Sequence, residues 1–171
     1  DIRLFHGNFV HLPEYLTQLR VGAVDGILLD LGLSQHHLEA SGRGFSFQKD
    51  EPLDMRMDTR SPARAQDLLA DFSEAQLTHI FRQYGEERWS KRIARAIVAA
   101  RAATPIRTTG QLVAIVRTAV PGRAAAQQKS HPATRIFQAL RIAVNEELTC
   151  LETFLETAVD LLKPGGRMCV L

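Results

Sequence analysis

A carboxylate stands at the point where a ligand of an open parallel sheet would bind. Residues 24–32 (VDGILLDLG) form an almost continuous apolar run that ends in Asp30 and a glycine. This pattern is typical of a central parallel strand with a loop at its carboxyl end. Because ligands of such sheets bind beyond the carboxyl ends of the strands, Asp30 could accept hydrogen bonds from an amine or a ribose. The alternative is that Asp30 caps the helix that follows.

An aromatic ring and a histidine pair are further candidates for ligand contact. Phe9 follows a short apolar run, residues 2–5, that indicates a first strand. Its ring could stack on an adenine, and packing in the core is the alternative. His36 and His37 are adjacent, with no third ligand at a metal-binding spacing, so no metal site is predicted.

Residues 43–58 (RGFSFQKDEPLDMRMD) are too rich in aromatic, charged and methionine side chains for a passive linker. They belong to a longer stretch, residues 34–58, whose glycines and proline indicate a loop, and long ordered loops in compact domains are usually functional. The segment could line a pocket for a base. It could also be an ordered loop that is packed by its own side chains.

The charges fall into three blocks of different sign. The chain has 171 residues and a formal net charge of only +2. Residues 1–87 carry 8 basic and 14 acidic side chains, residues 88–145 carry 11 basic and none acidic, and residues 146–171 carry 2 basic and 5 acidic. The central block predicts a surface for a polyanion such as a nucleic acid. The alternative is a solvated helical surface that is basic without binding one.

The hydrophobic pattern predicts the elements that would position these residues. Strands are predicted at residues 2–5, 24–32 and 167–171. Helices are predicted at residues 13–19, from Ser61 onwards, after Ser73, and at residues 86–103, 112–120 and 133–162, the last ended by residues 163–166 (KPGG). Residues 122–131 are predicted to be polar and flexible. Strands separated by helices predict an α/β fold with a parallel sheet, and the block from about residue 59 to 130 is predicted to be an inserted helical lobe.

Composition places the chain among folded proteins of a reducing compartment. The hydrophobic fraction of 45% argues against disorder. No apolar run approaches the ~20 residues that a membrane span needs. Cys150 and Cys169 provide neither a disulfide framework nor a zinc-ligand spacing. We therefore expect a cytoplasmic protein without a membrane partner.

Several motifs resemble those of a known family. They are residues 25–34 (DGILLDLGLS), 43–47 (RGFSF), 52–58 (PLDMRMD), 84–88 (YGEER), 91–95 (KRIAR), 131–135 (HPATR) and 137–141 (FQALR). Together they resemble the signature of the bacterial ribosomal RNA small-subunit methyltransferase H family, also called MraW. The motifs are long and specific, and they cover essentially the whole chain.

The resemblance implies a class I S-adenosylmethionine-dependent methyltransferase fold (Rossmann-like) with an inserted all-helical domain. Residues 1–58 would form part of the methyltransferase domain, residues 59–130 the substrate-recognition insert, and residues 131–171 the return to the methyltransferase domain. The resemblance further implies methylation of N4 of a cytidine in the decoding region of 16S rRNA. S-adenosylmethionine would be the methyl donor and the small ribosomal subunit the partner.

The resemblance also assigns cofactor contacts to Phe9, Asp30 and His37. His37 stands where the family usually has Gln, and Glu51 stands where it usually has Gly. The family's glycine-rich first motif, the acidic residue after its second strand and the Ser-Phe-His segment after its fifth strand have no counterpart here. We therefore expect a fragment with an incomplete sheet that binds the cofactor weakly or not at all. A partner chain, as in a homodimer, could complete that sheet.

For such a reaction we hypothesise two roles within the chain. Asp30 and the backbone of residues 31–34 would supply hydrogen-bond acceptors near the methyl group, which makes Asp30 a catalytic candidate. The alternative, which the resemblance favours, is that Asp30 only binds the cofactor. Phosphate contacts to the RNA are expected from Arg88, Lys91, Arg92 and Arg95. The alternatives are a methyltransferase that acts on another RNA or on DNA and, for this fragment alone, a non-catalytic RNA-binding module.

Overall fold

The structure, a computed structural model, describes residues 1–122 and 131–171. Its α-helices are α1 (Leu12–Gln18), α2 (Gln35–Glu39), α3 (Ala65–Asp71), α4 (Glu74–Gln83), α5 (Ser90–Ala103), α6 (Thr109–Ala119), α7 (Pro132–Asn145) and α8 (Glu147–Ala158). Its strands are β1 (Val24–Leu29) and β2 (Leu162–Val170), and short 3-10 helices span Phe9–His11 and Val159–Leu161. The chain divides into two compact units. We call Asp1–Gly32 with Glu146–Leu171 the sheet unit, and Leu33–Asn145 the helical unit.

The sheet unit is built on a parallel pair of strands, with Ile27 of β1 opposite Met168 of β2. Side chains alternate between the two faces of a strand, so Ile27 and Leu29 are buried while Leu28 between them is 66% exposed. The buried face packs against Phe154 and Ala158 of α8. Helices α1 and α8 of this unit therefore accompany a sheet that has one covered face and one open face.

Two strand predictions are corrected in this unit. Residues 2–5 form no strand, and Ile2 and Leu4 are 86% and 91% exposed. A strand needs a neighbour for its backbone groups, and β1 pairs only with β2 among the described residues. Residues 163–166 do not separate a helix from the last strand. They lie within β2, where a register shift between Val24 and Gly26 accommodates them as a bulge.

The helical unit has capping boxes at the starts of several of its helices and a continuous apolar core. Ser73 and Gln76 cap α4 reciprocally, and Thr108 and Gln111 cap α6 in the same way, as the spacing predicts. The faces behind these caps are buried, including Leu77 and Phe81 on α4 and the corresponding apolar positions of α5, α6 and α7. Burial of these faces is what holds the short helices together, since isolated helices of this length are marginal in water.

Two helix starts differ from the predicted positions. Ser61 begins no helix, because the Arg56 guanidinium binds the carbonyl oxygens of Thr59 and Ser61 at 2.8 and 2.7 Å and holds this stretch as a turn. Helix α5 begins at Ser90 rather than at Glu86, because Glu86 has a positive φ of 48°. The helix therefore starts four residues later than the hydrophobic pattern indicates.

The predicted long helix over residues 133–162 is two helices. Glu146 adopts a left-handed conformation with φ 49° and ψ 35° between α7 and α8, which interrupts the helical hydrogen-bond pattern. The buried apolar stripe of α7 contains Ile136, Leu140 and Val144, whereas Leu148 and Leu155 of α8 are exposed. The predicted flexible segment, residues 122–131, lies almost entirely outside the described residues.

The α/β class with a separate set of helices is confirmed. The units divide after Gly32 and after Asn145, rather than at the predicted domain boundaries of 1–58, 59–130 and 131–171. The loop of residues 43–58 causes this difference, because Phe45, Leu53 and Met55 are buried in the core of the helical unit. The three-part domain assignment stays a prediction. None of the helices described is both long enough and apolar enough to span a membrane.

Candidate functional site

Asp30 lies directly after β1, at the carboxyl end of the strand pair. The strand ladder continues on both sides of it: the Leu171 N–H donates to the Leu29 carbonyl at 2.8 Å, and the Leu31 N–H donates to the Leu171 carbonyl at 3.0 Å. Helix α2 is capped by Ser34 and not by Asp30. Asp30 itself is exposed, and its carboxylate has no hydrogen bond or ion pair within residues 1–122 and 131–171. The capping alternative is therefore wrong, and both carboxylate oxygens are available to a ligand.

Phe9 begins the 3-10 helix that precedes α1. The Asn8 side-chain oxygen accepts the Val10 N–H at 3.1 Å and caps this turn. The Phe9 ring meets Phe154 edge to face, with centroids 5.4 Å apart, and packs against the core of the sheet unit. Phe9 thus serves as a core aromatic, as the alternative interpretation has it, and its half-exposed ring also leaves a surface for stacking.

His37 is held by the cap of α2. The Ser34 backbone N–H donates to the imidazole Nδ1 at 3.3 Å, and the Ser34 hydroxyl lies 2.9 Å from the same nitrogen. Burial, followed by the charge of Arg43 and of His36, lowers the pKa of His37 below its ordinary value. Nδ1 is therefore the unprotonated nitrogen, and Nε2 is left as the donor for a ligand. No group of three His, Cys, Asp or Glu side chains in the described ranges could hold a metal ion.

The loop of residues 43–58 is anchored along its length to the helical unit. The Asn145 side chain of α7 accepts the Met57 N–H at 2.7 Å and donates to the Met55 carbonyl at 2.8 Å. Arg43 donates to the carbonyls of Arg56 and Met57. Met55, which adopts a positive φ of 58°, is fully buried. The interpretation of an ordered, internally packed loop therefore holds for its backbone.

Carboxylates in this loop bind the backbone and neighbouring guanidinium groups. Glu51 accepts the Gly44 N–H at 2.9 Å. Asp54 forms a two-pronged pair with Arg56, at 2.7 and 2.8 Å, and the hydrogen bonds from Arg56 lower the pKa of Asp54. The pKa of Asp50 is lowered by the Gly110 N–H, which donates to it at 2.8 Å. These acids have structural roles, which sets them apart from Asp30.

A cleft of about 340 Å³ opens between this loop and α7, within the helical unit. Its apolar lining includes Phe47, whose ring meets Phe137 edge to face at 5.0 Å. Its polar lining is the side chains Ser46, Gln48, Thr134, Gln138 and Arg141. An aromatic lining with amide groups and a cation suits a planar, hydrogen-bonding ligand such as a nucleobase. The loop thus lines a pocket while its backbone is packed, so the two sequence interpretations are compatible.

The four predicted phosphate-binding cations lie on α5 or directly before it, and all four are exposed. The Arg88 guanidinium lies over the Trp89 ring, 5.3 Å from its centroid. Arg95 contacts Glu74 of α4 at 3.7 Å. Lys91 and Arg92 have no ion pair with any other described residue. These side chains can reach a polyanion without first breaking a buried contact.

Sequence reasoning missed Asn145, which fastens the loop to α7. An Asn inside the predicted helical stretch was a signal, because its side chain favours hydrogen bonds with nearby backbone over a helix interior. It predicted a pocket at residues 43–58 but missed α7 as the second wall, because residues about 90 positions apart have to meet there. Of the predicted cofactor contacts, Phe9 and Asp30 belong to the sheet unit and His37 to the helical unit.

Comparisons with known proteins extend over the entire chain. The model of the MraW methylase family matches residues 1–171. Ribosomal RNA small subunit methyltransferase H of Desulforapulum autotrophicum is 57% identical over 171 residues, which are 100% of this chain and 55% of that protein. The protein of the same name from Geobacter sulfurreducens is 54% identical over 165 residues, covering 96% of this chain and 53% of the relative. The chain spans about half the length of the curated relatives it matches, and it belongs to the MraW methylase family.

Proposed function

We propose that the protein carrying this chain transfers a methyl group from S-adenosylmethionine to N4 of a cytidine in the decoding region of 16S rRNA. The observation that carries this proposal is the family match along all 171 residues, together with relatives named as ribosomal RNA small subunit methyltransferases. The small ribosomal subunit is the proposed partner. The homodimer and the cytoplasmic location stay predictions.

The residues assigned to the cofactor suit a donor with ribose, adenine and sulfonium parts. S-adenosylmethionine supplies an electrophilic methyl group when it is bound. The Asp30 carboxylate, which has no partner among the described residues, can accept hydrogen bonds from hydroxyl or amino groups. The half-exposed Phe9 ring offers a surface for adenine, and His37 offers only Nε2, because Nδ1 is used by Ser34. Asp30 therefore fits a cofactor role best, and His37 least.

Asp30 is also the proposed catalytic residue. The N4 amine of cytosine is a weak nucleophile because its lone pair is delocalised into the ring. A carboxylate or backbone carbonyl that accepts a hydrogen bond from the amine increases its electron density and holds it in line for attack. The exposed Asp30 carboxylate and the backbone of residues 31–34 have the chemistry for this task.

The cleft between residues 43–58 and α7 is the proposed pocket for a base. An enzyme that modifies a base inside a folded RNA must unstack it first. The Phe47 ring can stack on the displaced base, and Gln48 and Gln138 can form hydrogen bonds with its edge. Arg88, Lys91, Arg92 and Arg95 would meanwhile contact phosphates, which position the RNA without reading its sequence.

The test is methyl transfer to small ribosomal subunits by the full-length protein, with the modified base located by mass spectrometry. Asp30→Asn should lower turnover by at least about 100-fold, because it removes a charged acceptor at the reacting centre. The matched control is Asp25→Asn, which removes an exposed carboxylate from the other end of β1; its activity should stay within about twofold. Near-normal turnover of Asp30→Asn would exclude both proposed roles of this residue. A methyl group on another base or on DNA would overturn the proposed substrate.

A further inference from the structure

A groove of about 680 Å³ runs between α4 and α5, and most of its wall lies outside the predicted phosphate-binding set. One side is a single helical face of α4, formed by Ala75, Thr78, His79 and Arg82 at spacings of three and four residues. Lys91 of α5 lines the same groove. Helix α4 thus buries Leu77 and Phe81 on one face and presents a polar, basic face on another.

The described lining of this groove carries two cations and one carboxylate. Arg82 and Lys91 are both exposed, and neither forms an ion pair with another residue in the described part of the chain. Glu74 contributes the lone carboxylate among the described lining residues, and it already contacts Arg95 at 3.7 Å. The two cations outnumber the single carboxylate among the described lining residues, so the groove can attract a negative ligand.

The described lining of the groove does not favour a protein partner that is anchored by apolar side chains. Ala75 and Thr78 are small, and the Thr78 hydroxyl is engaged with the Glu74 carbonyl at 2.7 Å. The lining contains no large apolar side chain, whereas protein partners are anchored mainly by buried aromatic or aliphatic residues in pockets. A phosphodiester chain needs no such anchor, since salt-dependent contacts with cations supply its affinity.

We propose that the α4–α5 groove holds a phosphodiester segment of RNA, with Arg82 and Lys91 contacting phosphates from its two walls and His79 lining its path. This inference rests on the proposed RNA substrate and extends its contact surface from α5 onto α4. Glu74 limits the affinity of the groove, because its carboxylate repels phosphate and holds Arg95.

The test is the salt dependence of binding between the full-length protein and a fluorescein-labelled single-stranded oligouridylate. Arg82→Gln with Lys91→Gln should weaken binding roughly tenfold. The same variant should lower the slope of log K against log salt by about 1.4, which is two single-strand phosphate contacts. Glu74→Gln should tighten binding about threefold.

Matched variants separate the groove from general charge. Arg107→Gln with Arg117→Gln also removes two exposed cations of the basic block and should leave the slope unchanged. Arg82→Lys with Lys91→Arg keeps both charges and should bind as the unchanged protein does. Equal loss in the Arg107/Arg117 variant would overturn the proposal, as would an unaltered slope in the Arg82/Lys91 neutral variant. Circular dichroism should show the same helix content throughout.

Failure of the groove proposal can be distinguished from failure of the proposed function. If small subunits are methylated while the Arg82/Lys91 neutral variant keeps its slope, the groove proposal and the phosphate contact assigned to Lys91 fail, and methyl transfer to rRNA stands. If no methylation occurs but the slope still depends on Arg82 and Lys91, the groove stands and the function fails. Competition by polyglutamate as strong as that by unlabelled oligouridylate, at equal charge, would identify an acidic polypeptide surface instead.

Discussion

The helical unit and the sheet unit bury their apolar residues to very different extents. The helical unit has a continuous core that runs from Phe45 in the loop to Val144 at the end of α7. The sheet unit has a small cluster around Phe154, and Leu28 lies exposed on the open face of β1. Helices satisfy their own backbone hydrogen bonds, whereas strands depend on neighbours. The contrast indicates that stability resides mainly in the helical unit, while the exposed carboxylate at the end of β1 is free for ligands.

The largest expected effect comes from truncating the core of the helical unit. Phe81→Ala in α4 removes a fully buried ring and should lower the free energy of unfolding by about 3–5 kcal/mol. Leu28→Ser in the sheet unit should change it by about 0.5 kcal/mol or less, because this side chain is 66% exposed. Guanidinium unfolding of the 171-residue chain measures both. Equal losses of unfolding free energy would contradict the conclusion that stability resides mainly in the helical unit.

The second prediction concerns Gly44, which lies in the loop at the edge of the helical core. Its φ is +73°, and an added Cβ would overlap the Pro52 carbonyl oxygen. Gly44→Ala should therefore lower the free energy of unfolding by about 2–4 kcal/mol through backbone strain and overpacking.

Gly42 provides the matched control for Gly44, because its φ is +63° but no atom lies within 4 Å of its added Cβ. Gly42→Ala should cost about 1–2 kcal/mol from backbone strain alone. Thermal unfolding followed by circular dichroism compares the two variants. If Gly42→Ala is at least as damaging as Gly44→Ala, close packing of the loop against Pro52 is not what requires glycine.

The third prediction tests whether the acid Asp54 stabilises the helical unit. Asp54→Asn removes the two-pronged pair with Arg56 and should lower the free energy of unfolding by about 1–3 kcal/mol at neutral pH.

The sign of the pH dependence follows from the lowered pKa of Asp54. The stabilisation is fully present above the ordinary value of 3.8 and is lost as the pH falls below it through the lowered folded-state value. Unfolding measured from pH 7 to pH 2 should therefore show the two proteins converging at the acid end. A constant difference across that range would contradict an ionic role for Asp54.

Local patterns predicted much of the helical unit. The caps of α4 and α6, at Ser73 and Thr108, follow from spacing within a few residues, because a capping box involves only one turn. The break at Glu146 could not be found in this way, since the apolar stripe of residues 133–162 runs through it without a glycine or proline. The missing strand at residues 2–5 has a similar explanation: strand formation depends on a neighbour, and the local sequence does not encode one.

The candidate site likewise contains features that local sequence predicts and features that only the structure defines. Asp30 could be singled out from its place after an apolar strand, but the structure was needed to exclude its capping role, because the competing cap at Ser34 is decided by the hydrogen bonds of α2. The four cations near α5 could be selected from charge. Arg95 forms an ion pair with α4, whereas Lys91 has none with any described residue. This difference depends on where α4 lies.

Four features can be identified from residue types and short spacings: the family motifs, the α/β class, the basic block of residues 88–145 and the carboxylate after β1. Tertiary structure alone decided that residues 43–58 both pack into the helical core and line a cleft with α7. It alone brought Arg82 and Lys91 to opposite sides of one groove. The physical reason is that pockets and charge pairs form between segments distant in the chain, and only packing determines which segments meet.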